Sequence, residues 1–305
     1  MNLLRTVLLA ASLAAVASTA GAQAAEQAAW DSVGRVLKAT PAQANGYKRY
    51  NFPRRDIALK VNDVTVAPAL ALGTWLGFAG TPGDAMVMGD LVLLGDEMGP
   101  ALEELNRQGV RVTAIHNHVV GQPQVTYVHV HAMGDAFGIA AKFDKVLART
   151  LTPRPGAPGA AAVSGAAGSA SAPQAPTLQI DTALAFSALG LRGRATGNVI
   201  QFTVVIPQGA VTMDGHTVVP AQGYGTPINI QAVNASRWVA AGDFSVLGER
   251  TQPVIAALAS HGITATAMHS HLVAESPRIY YIHFWADGSP KDVMSGLRAA
   301  LDAAR

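Results

Sequence analysis

Residues 88–120 and 241–273 are two copies of one sequence. A shift of 153 positions lays the first on the second without a gap, and 12 of the 33 positions are identical. Gly89-Asp90 meets Gly242-Asp243, Pro100 meets Pro253, and Thr113-Ala114 meets Thr266-Ala267. His116 and His118 meet His269 and His271. Upstream, Pro68-Ala69 and Gly73-Thr74 meet Pro220-Ala221 and Gly225-Thr226. Whatever the first half folds into, the second half must fold into as well. A period near 150 residues is far too long for a solenoid and has the size of a whole domain. The chain of 305 residues is therefore read as two homologous domains, 25–150 and 178–305. Between them, 151–177 is Ala, Gly, Pro and Ser with almost no large side chain. Such a segment cannot bury enough surface to offset its chain entropy, so it reads as a flexible linker.

Within the first copy, a helix is expected around Trp30, Val33, Val36 and Leu37, then extended segments near Tyr50–Phe52 and Ile57–Val66. Pro68–Phe78 reads as strand and turn, and Gly89–Leu94 as a buried strand. Asp96 can cap a helix from Glu97 to Gln108 that stops at Gly109. Val110–Val120 and Tyr127–Ala132 read as strands, and Ile139, Phe143, Val146 and Leu147 fall on one face of a helix over 136–147. The fold class is α+β: two tandem domains, each a mixed or antiparallel sheet with helices on one face and a histidine-bearing β-hairpin. The order strand–helix–strand–strand–helix points to a ferredoxin-like arrangement.

Seven of the nine histidines lie in the two hairpins. A four-residue turn would pair Val120 with Val125, place His116 opposite His129 and His118 opposite Tyr127, and set His131 diagonal to His116. Side chains alternate along a strand, so these five residues share one face. In the second copy a five-residue turn would set His269 opposite His283 and His271 opposite Tyr281, with Trp285 in the place of His131. Facing strand residues are close enough for two imidazoles to reach one ion. The candidate metal ligands are His116, His118, His129, His131, His269, His271 and His283. Neutral imidazoles select a transition metal, zinc first, with copper, iron or manganese as alternatives. Glu275, four residues after His271, is the candidate ligand or general base, with Gln122 as its counterpart. Tyr127, Tyr281, Asp90, Asp243 and Arg278 are candidates to orient ligands or meet an anion. His216 and His261 have no counterpart and read as surface residues. The His faces are expected to turn inward or toward a shared cleft.

Arg5, the apolar run Val7–Val16 and the small residues Ala20–Ala24 have the form of an export signal ending at residue 22 or 24. The run is too short to span a bilayer comfortably. There is no cysteine, which excludes a lipobox, a disulfide and a thiolate ligand. The expected location is periplasmic or secreted. The formal charge of +2 and the lack of any basic block argue against nucleic acid. The expected partner is a metal ion or small molecule.

Gly89-Asp90 with His116-Asn117-His118, Gly242-Asp243 with His269-Ser270-His271, Glu275-Ser276-Pro277-Arg278 and His283-Phe284-Trp285-Ala286 resemble the LppY/LpqO-like exported bacterial proteins. Their repeated domain is catalogued as domain of unknown function 1259. The resemblance covers nearly the whole chain apart from leader and linker, and it implies two tandem domains without implying an activity. Some members look like lipoproteins; this chain lacks the cysteine. Three functions follow as expectations: a transition-metal-binding protein; a metal-dependent hydrolytic or cupin-like oxidative enzyme centred on the second repeat; and a metal-free module for a small anion or envelope component.

Overall fold

The computed structural model of the protein describes residues 21–44, 46–154, 180–206 and 208–305. The leader as far as residue 20, and residues 155–177 of the linker, lie outside the described residues. The first repeat opens with α1 over 21–37, whose Trp30, Val33 and Leu37 recur at helical spacing and are all buried. There follow β1 (Ala42–Ala44), β2 (Tyr47–Pro53), the small hairpin β3 (Lys60–Val61) and β4 (Val64–Thr65), and α2 (Pro68–Ala71). Then come β5 (Gly73–Thr81), β6 (Asp84–Leu94), α3 (Gly95–Arg107), β7 (Arg111–His116), β8 (Val125–Gly134) and α4 (Ala136–Leu147).

The second repeat gives α5 (Thr182–Leu189), β9 (Arg194–Thr196), β10 (Val199–Val204), β11 (Thr212–Met213), β12 (His216–Thr217) and α6 (Pro220–Gly223). It closes with β13 (Thr226–Asn234), β14 (Arg237–Val246), α7 (Thr251–Ser260), β15 (Thr264–His269), β16 (Tyr280–Gly288) and α8 (Pro290–Ala304).

Each repeat builds one six-stranded antiparallel sheet, in the orders β1-β2-β5-β6-β8-β7 and β15-β16-β14-β13-β10-β9. In the first, β6, α3 and β7 make a split unit with β8 inserted between the two strands. This gives the neighbours expected of a ferredoxin-like sheet, except that the outer position beside β6 is filled by the preceding hairpin strand, β5.

Alternation divides each sheet into two faces. Outward residues such as Val128 and Val130, or Ile282 and Phe284, pack under the helices in two separate cores. Each such buried side chain contributes about 1.5–3 kcal/mol. Inward residues form two further clusters that mix both repeats. Val92 and Tyr127 pack with Val239, Ala241 and Trp285; Met86 and Met88 pack with Met213, Leu272 and Tyr281. The two sheets thus face each other, with helices on both outer surfaces. The short helices fasten this contact. Gln231 accepts from Ala67 N at 2.8 Å and donates to Thr65 O at 2.9 Å, while Gln222 of α6 donates to Gly77 O at 2.8 Å.

Four local expectations need correction. Pro68–Ala71 is a helical turn rather than strand, because Pro at its first position fixes φ and gives up no needed hydrogen bond. Helix α3 starts at Gly95, so Asp96 lies inside it; Glu97 reaches back to Leu94 N at 2.7 Å instead. Strand β6 begins at Asp84, five residues before Gly89. Strands β7 and β15 end at His116 and His269, leaving His118 and His271 in loops.

The recurring Gly-Asp pair has a steric cause. A Cβ on Gly89 would lie 2.2 Å from Trp75 O, and one on Gly242 would lie 2.0 Å from Pro227 O. Glycine lets the neighbouring strand close in, which fixes the following aspartate on the inward face.

A candidate metal centre between the repeats

The hairpin register differs from expectation by two residues. His116 sits opposite Tyr127 and His129 opposite Ala114; in the second repeat His269 sits opposite Tyr281 and His283 opposite Ala267. The loops 117–124 and 270–279 are longer than a tight turn, because each is pinned to the small hairpin of its own repeat. Lys60 and Gln122 exchange two backbone hydrogen bonds at 2.8 and 2.9 Å, and Thr212 and Ser276 exchange two at 2.9 Å. A slip of two preserves the face of every side chain, so the histidines remain inward.

Because the sheets face each other, both hairpins deliver to one place. One ligand nitrogen from each of His116, His269, His271 and His283 lies within 4.8 Å of the other three. His283 Nε2 is 3.3 Å from His271 Nε2 and 3.3 Å from His269 Nε2. Two nitrogens held at roughly 2.0–2.1 Å by one tetrahedral ion lie about 3.3 Å apart. The His116 ring centroid is 4.2 Å from that of His269 and 4.8 Å from that of His271. A second group of His118, Asp243 and His283 meets the same 4.8 Å criterion beside the first. The cluster is enclosed: His116 is 8% exposed, His271 4% and His283 0%.

The electrostatics favour the neutral form of His118, His269, His271 and His283. Burial, reinforced by the neighbouring histidines, pushes His271 and His283 well below the usual imidazole value. The same effects bring His269 down to about 4 and His118 down to about 3. Neutral imidazole is the form that ligates a metal. Both nitrogens of His116, Nε2 of His129 and Nδ1 of His283 are buried without a hydrogen-bond partner among the described residues. Buried polar atoms are almost always paired, so the orphans on these three rings leave room for a ligand such as an ion.

The two aspartates behave differently. His129 Nδ1 is 3.2 Å from Asp90 Oδ1, and His116 Nε2 is 3.6 Å away. Burial raises the Asp90 carboxyl, but the two histidines together pull it well below the usual range. Asp243 Oδ2 lies 3.7 Å from His283 Nδ1. Burial, with the Asp90 charge behind it, holds Asp243 well above the usual range. Tyr127 donates to Ala71 O at 2.7 Å and Tyr281 donates to Gly223 O, so each phenol ties the site to a short helix. Their rings cover His118 at 4.4 Å and His271 at 3.8 Å.

Three candidates lie elsewhere. His131 stands apart, with Nδ1 3.8 Å from Asp214. Glu275 braces its own loop, accepting from Ser270 Oγ at 3.1 Å and Ile279 N at 3.0 Å, and it pairs with Arg278 at 3.3 Å. Ser276, rather than Glu275, takes the bridging position of Gln122, so Gly121 is the counterpart of Glu275. A Cβ on Gly121 would meet Lys60 O at 2.3 Å, so no acidic side chain fits there. His216 and His261 are exposed. Asp214 was not singled out from the sequence; its only signal there is its place after a methionine in a short hairpin.

The fold and site define a tandem-repeat α+β protein in which two homologous sheets enclose a histidine cluster able, by its geometry, to hold a metal ion. The chain belongs to the family described as Domain of Unknown Function (DUF1259), whose family model matches residues 31–149 and 183–303. No curated protein matches. Among solved structures, a double-ringed trimeric shell protein from the RMM microcompartment matches at 10% identity, over 74% of this chain and 86% of that chain, with a TM-score of 0.16. A likeness that slight carries no argument. No helix among the described residues is long and apolar enough to cross a membrane.

Proposed function

We propose that the protein binds a transition-metal ion, zinc first by its ligand chemistry, at one centre shared between the repeats. The carrying observation is the convergence of four imidazole nitrogens, three from the second repeat and one from the first, within 4.8 Å, with three of the four rings buried and His269 half-buried. Four nitrogen donors make a closed tetrahedral shell, the arrangement of holding rather than of open-site catalysis. Glu275 is assigned a bracing role in this reading, because its Oε1 accepts from Ser270 Oγ and Ile279 N of its own loop. An exported setting, periplasmic or secreted, belongs to the proposal and is supported by Arg5, the run Val7–Val16 and the small residues after it.

The test is elemental analysis of the untagged full chain, purified without chelator, beside His116→Ala and His269→Ala. The expected result is about one ion per chain, lost in both variants. Two ions per chain, with each variant losing only its own, would replace the shared centre by two separate ones. No ion after reconstitution with zinc, copper, iron or manganese would overturn the proposal.

A further inference from the structure

His131 takes no part in the central cluster, yet it is 3% exposed. Its Nδ1 faces Asp214 of the β11–β12 hairpin at 3.8 Å, and its Nε2 is buried without a hydrogen-bond partner among the described residues. Strand register surrounds it with sulfur. His131 lies directly opposite Met88, and the next inward pair along the same two strands is Met86 opposite Met133. Facing pairs on one face of a sheet have their Cβ atoms roughly 4.5–5.5 Å apart, well within reach of a methionine. From the other repeat, Met213 packs into the same buried cluster as Met86 and Met88, and Met133 lies half-buried at its edge. Four of the chain's eight methionines thus lie on the two strands at His131 or in the buried cluster beside them, near its unpartnered Nε2.

The duplication supplies an internal comparison. In the second repeat the same inward positions are Val239 opposite Asp287 and Ala241 opposite Trp285, and the covering residue from the other repeat's hairpin is Val61. None of these five counterparts is a methionine or a histidine. The architecture therefore does not require thioethers here, and their concentration on one side calls for a chemical reason.

We propose that His131 Nε2 and the thioethers of Met86, Met88 and Met213 form a site for a soft monovalent ion, Cu(I) or Ag(I). Thioether and imidazole donors are the set that selects such ions over hard cations. A carboxylate on the far nitrogen orients the ring of a metal-bound histidine, and Asp214 stands where that partner belongs. Asp214 also pairs with Arg111 at 2.8 Å, so the surroundings carry little net charge and suit a monovalent ion better than a divalent one. Half-buried Met133 marks the edge from which an ion would enter. The site shares no residue with the central cluster and does not depend on the reading proposed for it.

The test is anaerobic titration of the full chain with Cu(I) against a chromophoric Cu(I) chelator, with X-ray absorption at the copper edge. Wild type, a Met88→Leu/Met213→Leu double variant, His131→Gln and His269→Ala are compared. Leucine conserves volume, so the double variant retains packing. The expected result is one tight Cu(I) with sulfur neighbours in wild type and His269→Ala, lost in the double variant and in His131→Gln. Retention of the sulfur-ligated Cu(I) spectrum by the leucine variant, or its loss in His269→Ala, would overturn the proposal. If the leucine variant fails to fold, wild type still decides: a copper spectrum without sulfur overturns the site.

Discussion

His116 and His269 hold the same position in the two repeats, 153 residues apart, and their ring centroids lie 4.2 Å apart across the interface. The axis relating the repeats therefore passes close to the histidine cluster, and in the proposed reading two equivalent residues serve one centre instead of two. Residues that act on one ion are strongly non-additive. The His116→Ala/His269→Ala double variant should bind metal no more weakly than the worse of the two single variants. Cobalt(II) substitution of wild type should show the intense visible bands of tetrahedral coordination, reduced in each single variant. Additive losses in the double variant would mean that the two rings serve different ions.

Asp243 should separate affinity from stability. Its carboxyl is buried, 3.7 Å from His283 Nδ1, and pushed well above its usual value by burial and by Asp90. Orienting partners of metal-bound histidines typically contribute about 10–100-fold in affinity. Asp243→Ala should weaken metal binding by about that range and leave the cobalt bands in place, while the metal-free protein at pH 7, relieved of a carboxyl that burial disfavours, unfolds no earlier than wild type. A changed cobalt spectrum would identify Asp243 as a ligand, as its grouping with His118 and His283 also permits.

Alternation along a strand is a local property, so the sequence was enough to place His116, His129, His269 and His283 on one face. That inference survived a two-residue register slip, because a shift of two returns each side chain to the same side. Loop length was less legible. The bridges from Lys60 to Gln122 and from Thr212 to Ser276 join positions far apart in the chain, and they hold His118 and His271 off the strands. The duplication and the polar His faces pointed to an inward or shared cleft, but not to which histidines would meet there, since docking of two sheets depends on contacts such as Gln231 with Ala67 and Thr65 that leave no periodic trace. His131 looked equivalent to the other histidines for the same reason: face was readable, and position across the interface was not.

Arg54 tests the support of the first sheet. Its side chain is fully buried, and its guanidinium pairs with Glu97 at 2.8 Å and with Asp56 at 2.8 Å. Glu97 also accepts from Leu94 N at 2.7 Å and Leu151 N at 2.6 Å, tying the start of α3 to the chain beyond α4. Removing one partner of a buried pair leaves an uncompensated charge, at a cost of about 3–5 kcal/mol. Arg54→Met should lower urea stability by that order, and Arg54→Met/Glu97→Gln should recover much of the loss. A single-variant cost below about 1 kcal/mol, the scale of an exposed pair, would show that the ion pair contributes little to the fold.

The buried histidines make the metal-free protein sensitive to acid. In the unfolded chain a histidine takes up its proton near its ordinary value of 6.5; folded, His269 and His131 resist until about 4 and His118 until about 3. His271 and His283 are also well below 6.5. Between these limits the unfolded state binds more protons, so stability rises with pH. It is fully present above about pH 6.5 and is lost as the pH falls toward 4. Asp243 acts in the opposite sense: its raised carboxyl keeps a proton in the folded state that the unfolded chain releases above 3.8, which offsets one of the five histidines. Asp90, held low, gives up its contribution only at still lower pH. The net expectation is a falling melting temperature for chelator-treated protein between pH 7 and 4.5, followed by circular dichroism. Bound metal should flatten the upper part of that fall, because protons must then displace the ion to reach the ligand nitrogens. A melting temperature that stays constant or rises on acidification would mean that the imidazoles are not held neutral by burial.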